Sequence, residues 1–560
     1  MSDRLLSAVA ICALVFSACG SSAQPSGGGA SPAPATQGPA ASGVPPSASQ
    51  GGATAPTTLR YTRLADTDPH WHPVQQQTGN QMTMWQLVYN TLVKVKADET
   101  TLVPDLADSW EASADATQYT FHLHPGVKWQ DGTPFTSKDV LYTINFAVQN
   151  ADSYKGYPPT AFWEIKGAAA VKGTTNTPEG LTAPDDNTVK ISLAAPDAEF
   201  LRSLPDAVYS ILPEHILKGV TAADVEKVPF TVGTPGTTIG TGPYALTKFQ
   251  YPDFAQFAAN PDYFKGKPKI DQIIMKFYSK PELALSDLEG GALDLALILS
   301  PNDQARLDKV ANLKTQFIPS VAIYAVLFNG ASVTDKRVRQ AAYYAINRAE
   351  IVKSVLNGQA RVLIAPPGFK EYSDLNRFDF SPDKAKQLLK DAGYDASKPL
   401  KWSYDQSQPN LATLMPIFQQ QLQAVGFNVV LDPLDTTAYI AKVTSQPDQW
   451  DITMQIGNSE GLGPARTGDE LPANCKTHPW GYANCDLDAA FASGRSTTDP
   501  AARDNFYHQA ALILNDEQPE LYLWSPFNLH AYPKKLGGGF EIHPNDRETM
   551  MNVETWTLTP

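Results

Sequence analysis

Gly457-Asn458-Ser459-Glu460-Gly461 matches G-x-S-x-G, the strand-to-helix turn that presents a nucleophilic serine, and it follows a strand predicted over residues 451–456. His508, His530 and His543 lie downstream, with several acids, so the order serine, acid, histidine can be met. A secreted serine hydrolase using Ser459 is therefore one reading. That chemistry needs a helix straight after the serine. The next residues, Leu462-Gly463-Pro464-Ala465-Arg466-Thr467-Gly468, make a poor helix.

Two histidine pairs are spaced to share a metal, since residues i and i+2 of a strand face the same side. They are His70-Trp71-His72 and His122-Leu123-His124. The second pair falls in a predicted hairpin, where an exposed polar face is the plainer explanation. The first falls in a predicted loop where a ligand could approach, but Trp71 packing beside incidental histidines is the better explanation. No metal or other cofactor is expected. Aromatic rings commonly wall binding clefts. Trp71, Trp402 and Trp480 are candidates, although most of the 10 Trp and 22 Tyr should be core.

The cysteines point outside the cytoplasm. Cys475 and Cys485 stand ten residues apart in a Pro/Gly-rich segment, a spacing suited to a disulfide. Two ligands of a metal site are the alternative, with only His478 nearby. Residues 5–18 are apolar and uncharged, too short to span a bilayer comfortably, and end in Ser17-Ala18 before Cys19. This resembles a bacterial lipobox, with Phe16 where Leu is usual, and implies that Cys19 carries lipid. An ordinary signal peptide is the other reading. Residues 20–57 contain only Gly, Ser, Ala, Pro, Gln and Thr apart from Val44, so they cannot offset their ordering entropy. They should form a tether spanning about 35 Å on average.

The remaining length is enough for more than one core. Lys plus Arg total 44 against 58 for Asp plus Glu, a formal charge of −14 that disfavours nucleic acid as a partner. Residues 58–64 suit an opening strand and 82–93 a helix. Residues 119–123 alternate as a strand, His124-Pro125-Gly126 turns, and 127–129 should continue a hairpin. Thr136 with Asp139 forms a capping box for the next helix. Asp335 caps a helix predicted to run to Gly358. Others begin at Ser381-Pro382 and stop at Gly393, end at Gly426, and open at Asp499-Pro500. Strands are predicted at 427–431, 451–456 and 520–524. Helices alternating with buried strands imply an α/β chain.

Eight segments, in this order, resemble family-5 extracytoplasmic solute-binding proteins, the dipeptide and oligopeptide binders and their relatives. They are LVPDLADSWEAS (102–113), YTFHLHPGVKWQDGTPFTSKDVLYT (119–143), GTGPYALTKF (240–249), NPDYFKGKPKIDQIIMKF (260–277), DLEGGALDLAL (287–297), DKRVRQAAYYAINRAEIV (335–352), SPDKAKQLLKDAGY (381–394) and DEQPELYLW (516–524). The resemblance implies a two-lobed, type II periplasmic-binding-protein-like fold with an α+β subdomain inserted in the first lobe. It places a signal peptide at 1–18 and the lipidated tether at 19–57. The first lobe takes 58–95, 241–320 and 530–560, the insert 96–240, and the second lobe 321–529. It implies a monomeric, non-enzymatic receptor that delivers solute to the permease subunits of an ATP-driven (ABC) importer.

The resemblance also implies site residues. Tyr324 stands where family members often face the ligand. In peptide binders an acid nine residues beyond the strand's Asp receives the peptide ammonium, and counting from Asp451 reaches Glu460. Those proteins often carry Trp and an Asp-Pro pair after this strand. Gly457 and no such pair stand here, so a sugar, an opine-like compound or a nickel chelate remain alternative cargoes.

Overall fold

The computed structural model describes residues 56–64, 70–75, 80–155, 158–365, 368–408, 410–458, 464 and 482–559. In the first sheet Thr58–Leu64 runs parallel to Gln272–Tyr278, followed by antiparallel Phe254–Ala259 and Tyr244–Gln250. Alternate residues of these strands, among them Leu59, Tyr61, Ile273 and Met275, are buried on the core face. In the second sheet Leu400–Asp405 lies between Val429–Leu434 and Ile452–Asn458, all parallel. Ala322–Phe328 then pairs antiparallel with Ile452–Asn458. Phe418 and Leu414 of helix Leu411–Val425 pack on Trp402 and Val429 of that sheet. This is a second core, separate from the first.

One strand, Glu520–Pro533, belongs to the second sheet and extends it with further antiparallel strands towards the first. Its start pairs with Ala322–Phe328, placing Trp524 opposite Tyr324, and its end pairs with Leu313–Pro319, placing Phe527 opposite Pro319. Ala296–Leu299 pairs with the end portion too, and Leu295 bridges back to Tyr61 of the first sheet. The chain thus passes twice, near 319–322 and near 525–527, between the main part of the second sheet and the extension that bridges to the first. Ser525 Oγ donates to Ser320 O and ties the two passages together.

A four-stranded unit, in the order Ala107–Ala112, Gln118–Leu123, Thr188–Ser192 and Leu181–Asp185, is inserted between the first strand and Tyr244. Helix Ser137–Gln149 packs on it and carries the expected capping box at Thr136 and Asp139. Its apolar residues merge with those of the first sheet.

Several expectations need correction. Residues 127–129 do not pair with 119–123, because both edges of that strand are taken by Ala107–Ala112 and Thr188–Ser192. Lys128 instead bridges Pro134. The helix from Asp335 ends at Ala345, and Asn347 caps a separate helix, Arg348–Ser354, by accepting from Glu350 N–H. The helix expected over 82–93 is Asn80–Val88, and Val93–Val95 is a strand. The strand expected to stop at Trp524 continues to Pro533.

The family-like segments prove to be scaffold. Asp105 of LVPDLADSWEAS is buried and accepts from Asn90, Thr91 N–H and Lys265. Burial alone would raise its carboxyl, but Lys94 and Lys265 hold it below the usual range. Arg339 and Arg348 of DKRVRQAAYYAINRAEIV are also buried. Arg339 donates to the carbonyls of Val333, Thr334 and Glu517, and Arg348 to those of Leu363 and Phe378. A guanidinium has five donors in a fixed fork, suited to collecting loop carbonyls.

Candidate functional site

The parallel strands of the second sheet end on the same side, at Asp405, Leu434 and, three residues further out, Asn458. Ala322–Phe328 begins at that same edge, because Ala322 opposes Asn458 and Tyr324 opposes Ile456. The crossing at 525–527 adjoins it. Open α/β sheets receive ligands beyond the carboxyl ends of their strands. This edge of the second sheet is therefore a candidate place for a small solute.

Polar groups are fixed there. The buried Asp405 accepts from Ser407 N–H and from Thr436 Oγ1, both at 2.9 Å, while Ser407 Oγ lies 3.0 Å from Thr436 Oγ1. Ser407 and Asn410 are exposed on the loop beyond the strand. Tyr324 is half-buried. Burial raises its hydroxyl pKa, opposed by the nearby Asn410 side chain. Its ring stacks on Trp524 at 5.7 Å, Trp524 on Phe418 at 6.0 Å, and Phe418 on Trp402 at 5.6 Å. Tyr324 is thus the solvent end of a four-ring stack whose other members are core.

The two bodies also touch away from the strand crossing. Arg495, from helix Cys485–Ser496, lies 3.3 Å from Glu164 and 3.6 Å from Asp197, both in the inserted unit. Arg503, from helix Pro500–Glu517, lies 3.1 Å from Glu199. Ala198 N–H donates to Arg495 O at 2.6 Å. Asp197 and Glu199 are buried, and desolvation pushes the Asp197 carboxyl up although Arg495 opposes it.

The candidates from sequence separate clearly. Tyr324 lies at the strand-end edge. Trp402 is 0% exposed under Phe418, and Trp71 is 0% exposed among Tyr89, Phe249 and Phe257. Both are packing residues rather than cleft walls, because an indole filling a core has no free face for a ligand. His72 is buried against Phe146, and burial lowers its pKa to about 3; His70 is buried as well. His122 and His124 face different acids, Glu111 at 3.6 Å and Asp108 at 3.8 Å, so that pair does not converge. Ser459, Glu460, Cys475, Trp480 and Cys19 lie outside the described residues. Cys485 is disulfide-bonded. Sequence reasoning misses Asn410, Trp524, Arg495 and Arg503. Trp524 stands in one of the family-like segments, but nothing in the spacing marks the others.

Residues 101–465 match the family described as bacterial extracellular solute-binding proteins, family 5 (middle). The chain belongs to that family. A Brucella ovis protein named as an ABC transporter peptide-binding protein is 30% identical over 472 residues, covering 79% of this chain and 84% of its own. The oligopeptide-binding protein AppA of Bacillus subtilis is 26% identical over 495 residues, covering 84% of this chain and 86% of its own. The structure of the substrate-binding protein CtaP from Listeria monocytogenes superposes with a TM-score of 0.75 at 24% identity, covering 90% of this chain and all of its own.

Proposed function

We propose that this chain is the substrate-binding receptor of an ABC importer, with a di- or oligopeptide as cargo. The observation that carries this reading is the strand-end edge of the second sheet, where the Tyr324 ring and the Asp405–Asn410 loop adjoin the twice-crossed junction. The relatives named for peptide binding support the cargo. A ligand touching both bodies favours the closed arrangement by its differential affinity, and the permease reads that arrangement. The ligand is not chemically altered. The lobe boundaries near 320 and 529, with the insert at 96–240, belong to this proposal. So do monomeric action, lipid attachment at Cys19 and the tether behind it.

Glu460 is the proposed anchor for the peptide ammonium, with Trp480 as a further wall. An ammonium enclosed between lobes has to be paired, because an unpaired buried charge costs several kcal/mol. Backbone hydrogen bonds to an extended peptide then supply affinity without reading side chains. The missing Trp and Asp-Pro after the strand favour a second reading, in which the cargo is an uncharged or chelated solute.

Mass spectrometry of ligand carried through gentle purification identifies the cargo class. Calorimetry with a free-amine peptide and its N-acetylated form, on wild type and Glu460→Gln, then tests the anchor. The free amine should bind about 30-fold or more weakly to the variant, about 2 kcal/mol, the low end for breaking a desolvated pair. The acetylated form should bind both proteins poorly. Equal affinities in all four combinations would remove Glu460 and favour the second reading.

A further inference from the structure

Glu99, His543 and Glu548 converge from two ends of the chain. Glu99 sits in the turn between Val93–Val95 and Leu102–Pro104, with its N–H donating to Lys96 O at 2.8 Å. Its φ of 56° is in the left-handed region, uncommon for a glutamate, yet the residue is only 8% exposed. His543 and Glu548 come from the segment after Leu536–Gly538, which closes in the short turn Asp546–Glu548. They are 1% and 2% exposed.

Imidazole Nδ1 of His543 lies 3.3 Å from Glu99 Oε1 and 3.9 Å from Glu548 Oε2. One donor atom from each of the three residues falls within 4.8 Å of the others, the one such buried trio among the described residues. A neighbouring side chain orients one carboxylate. Asn545 Nδ2 donates to Glu548 Oε1 at 3.1 Å. That leaves Oε2 of Glu99 and Oε2 of Glu548 buried with no hydrogen-bond donor. Neither carboxylate has an ion pair with lysine or arginine among the described residues.

Two buried carboxylates without a cation are costly. Burial pushes the Glu99 carboxyl up to about 7 and that of Glu548 well above its usual value, and it lowers the His543 imidazole. Asp98, Asp206 and Glu541 add negative charge nearby. The group is short of positive charge in a place that water does not reach.

We propose that Glu99, His543 and Glu548 bind a single divalent transition-metal ion of the zinc type, fastening the C-terminal segment to the Val93–Pro104 hairpin. One imidazole and two carboxylates suit such an ion, with ligand bonds of roughly 2.0–2.2 Å. A bond length of that order puts tetrahedral donors about 3.4 Å apart, so the observed spacings need only small side-chain shifts. Calcium, which takes 6–8 oxygens, is a poor match. The two carboxylate charges cancel the ion's own, and Asn545 supplies an outer hydrogen bond of the kind that holds metal ligands in place. None of its residues belongs to the strand-end edge.

The test uses the full chain, stripped of metal by chelator and then titrated with zinc chloride at pH 7.5 by calorimetry, with melting followed in parallel. Wild type should take up one equivalent and melt several degrees higher with zinc, as a ligand of the folded state requires. Glu99→Gln and Glu548→Gln should each weaken uptake at least 100-fold and lose the zinc-dependent rise. Their metal-free melting curves report whether they fold. His215→Gln, at an exposed pair with Asp131, should behave as wild type. Cobalt(II) should give the visible absorption of a tetrahedral site in wild type only, and calcium should not compete. No stoichiometric uptake by wild type, or undiminished uptake by the folded glutamine variants, would overturn the proposal and leave the two carboxyls sharing a proton.

Discussion

Tyr324 and Trp524 lie opposite each other on adjacent antiparallel strands with rings stacked at 5.7 Å and 28° between their planes. One face of Tyr324 is thereby occupied by a core tryptophan, and the half-buried remainder is left for a ligand. Tyr324→Ala should lower cargo affinity about 10-fold, in keeping with an aromatic contact of about 1 kcal/mol plus lost burial. Tyr324→Phe keeps the ring and removes only the hydroxyl, so it should cost little. Calorimetry with the copurified cargo reads both, and equal losses for Ala and Phe would show that the hydroxyl matters rather than the ring.

Trp402, three rings further in, should behave differently. Trp402→Ala is expected to destabilise the protein by about 3–5 kcal/mol through the cavity it leaves. Cargo affinity measured well below the melting temperature should stay within about 2-fold. Denaturant titration together with calorimetry separates the two effects.

The contact of Arg495 and Arg503 with Glu164, Asp197 and Glu199 joins the second body to the inserted unit. Arg495→Gln combined with Arg503→Gln strands acids that are already desolvated, and should shift the ligand-free protein towards open arrangements. Small-angle scattering should show a larger radius of gyration without cargo, and the cargo dissociation constant should rise 10-fold or more. An unchanged radius and affinity would make the contact incidental to closure.

Glu520 is buried, and desolvation raises its carboxyl to about 7 from an ordinary 4.5. Below about pH 4.5 both folded and unfolded chains hold this proton. Between about 4.5 and 7 only the folded chain keeps it, so stability falls as pH rises, by roughly 1.4 kcal/mol per unit for one proton, and levels off above 7. Glu520→Gln should therefore be more stable than wild type at pH 8, close to it at pH 4.5, and show a shallower pH slope in melting experiments. A wild-type slope of opposite sign would refute this.

Cys485 is disulfide-bonded, and Cys475 is its proposed partner. Counting thiols on the unreduced mature protein should find neither reactive, and reduction should cost about 2–3 kcal/mol for so short a loop. Two reactive thiols would discard the pairing.

Much of the fold was legible because its signals are local. Thr136 with Asp139, Asp499 before Pro500, and Gly393 and Gly426 in left-handed conformation mark helix ends where the sequence suggested. Local reasoning failed where distant partners decide. The continuation of the last long strand past Trp524 depends on Leu313–Pro319, some two hundred residues earlier, and the failed hairpin on Thr188–Ser192. Asn347 divides a helix that apolar spacing alone would continue. At the site, Tyr324 could be named only through the family resemblance. Asn410, Arg495 and Arg503 leave no trace in the one-dimensional pattern, since their roles come from which surfaces meet.

The long strand Glu520–Pro533 carries a mechanical implication. Two backbone passages lie side by side where the second sheet meets its extension, laced by Ser525 Oγ to Ser320 O. A paired ribbon of this kind flexes readily out of its own plane but resists shearing and axial torsion, because those would tear the ladder on both sides. Under the lobe division proposed above, such a ribbon would leave the lobes chiefly a bend about an axis close to residues 320 and 526. A receptor so guided need not search orientations to find its shut position, and solutes of different bulk would stop the same arc at different points.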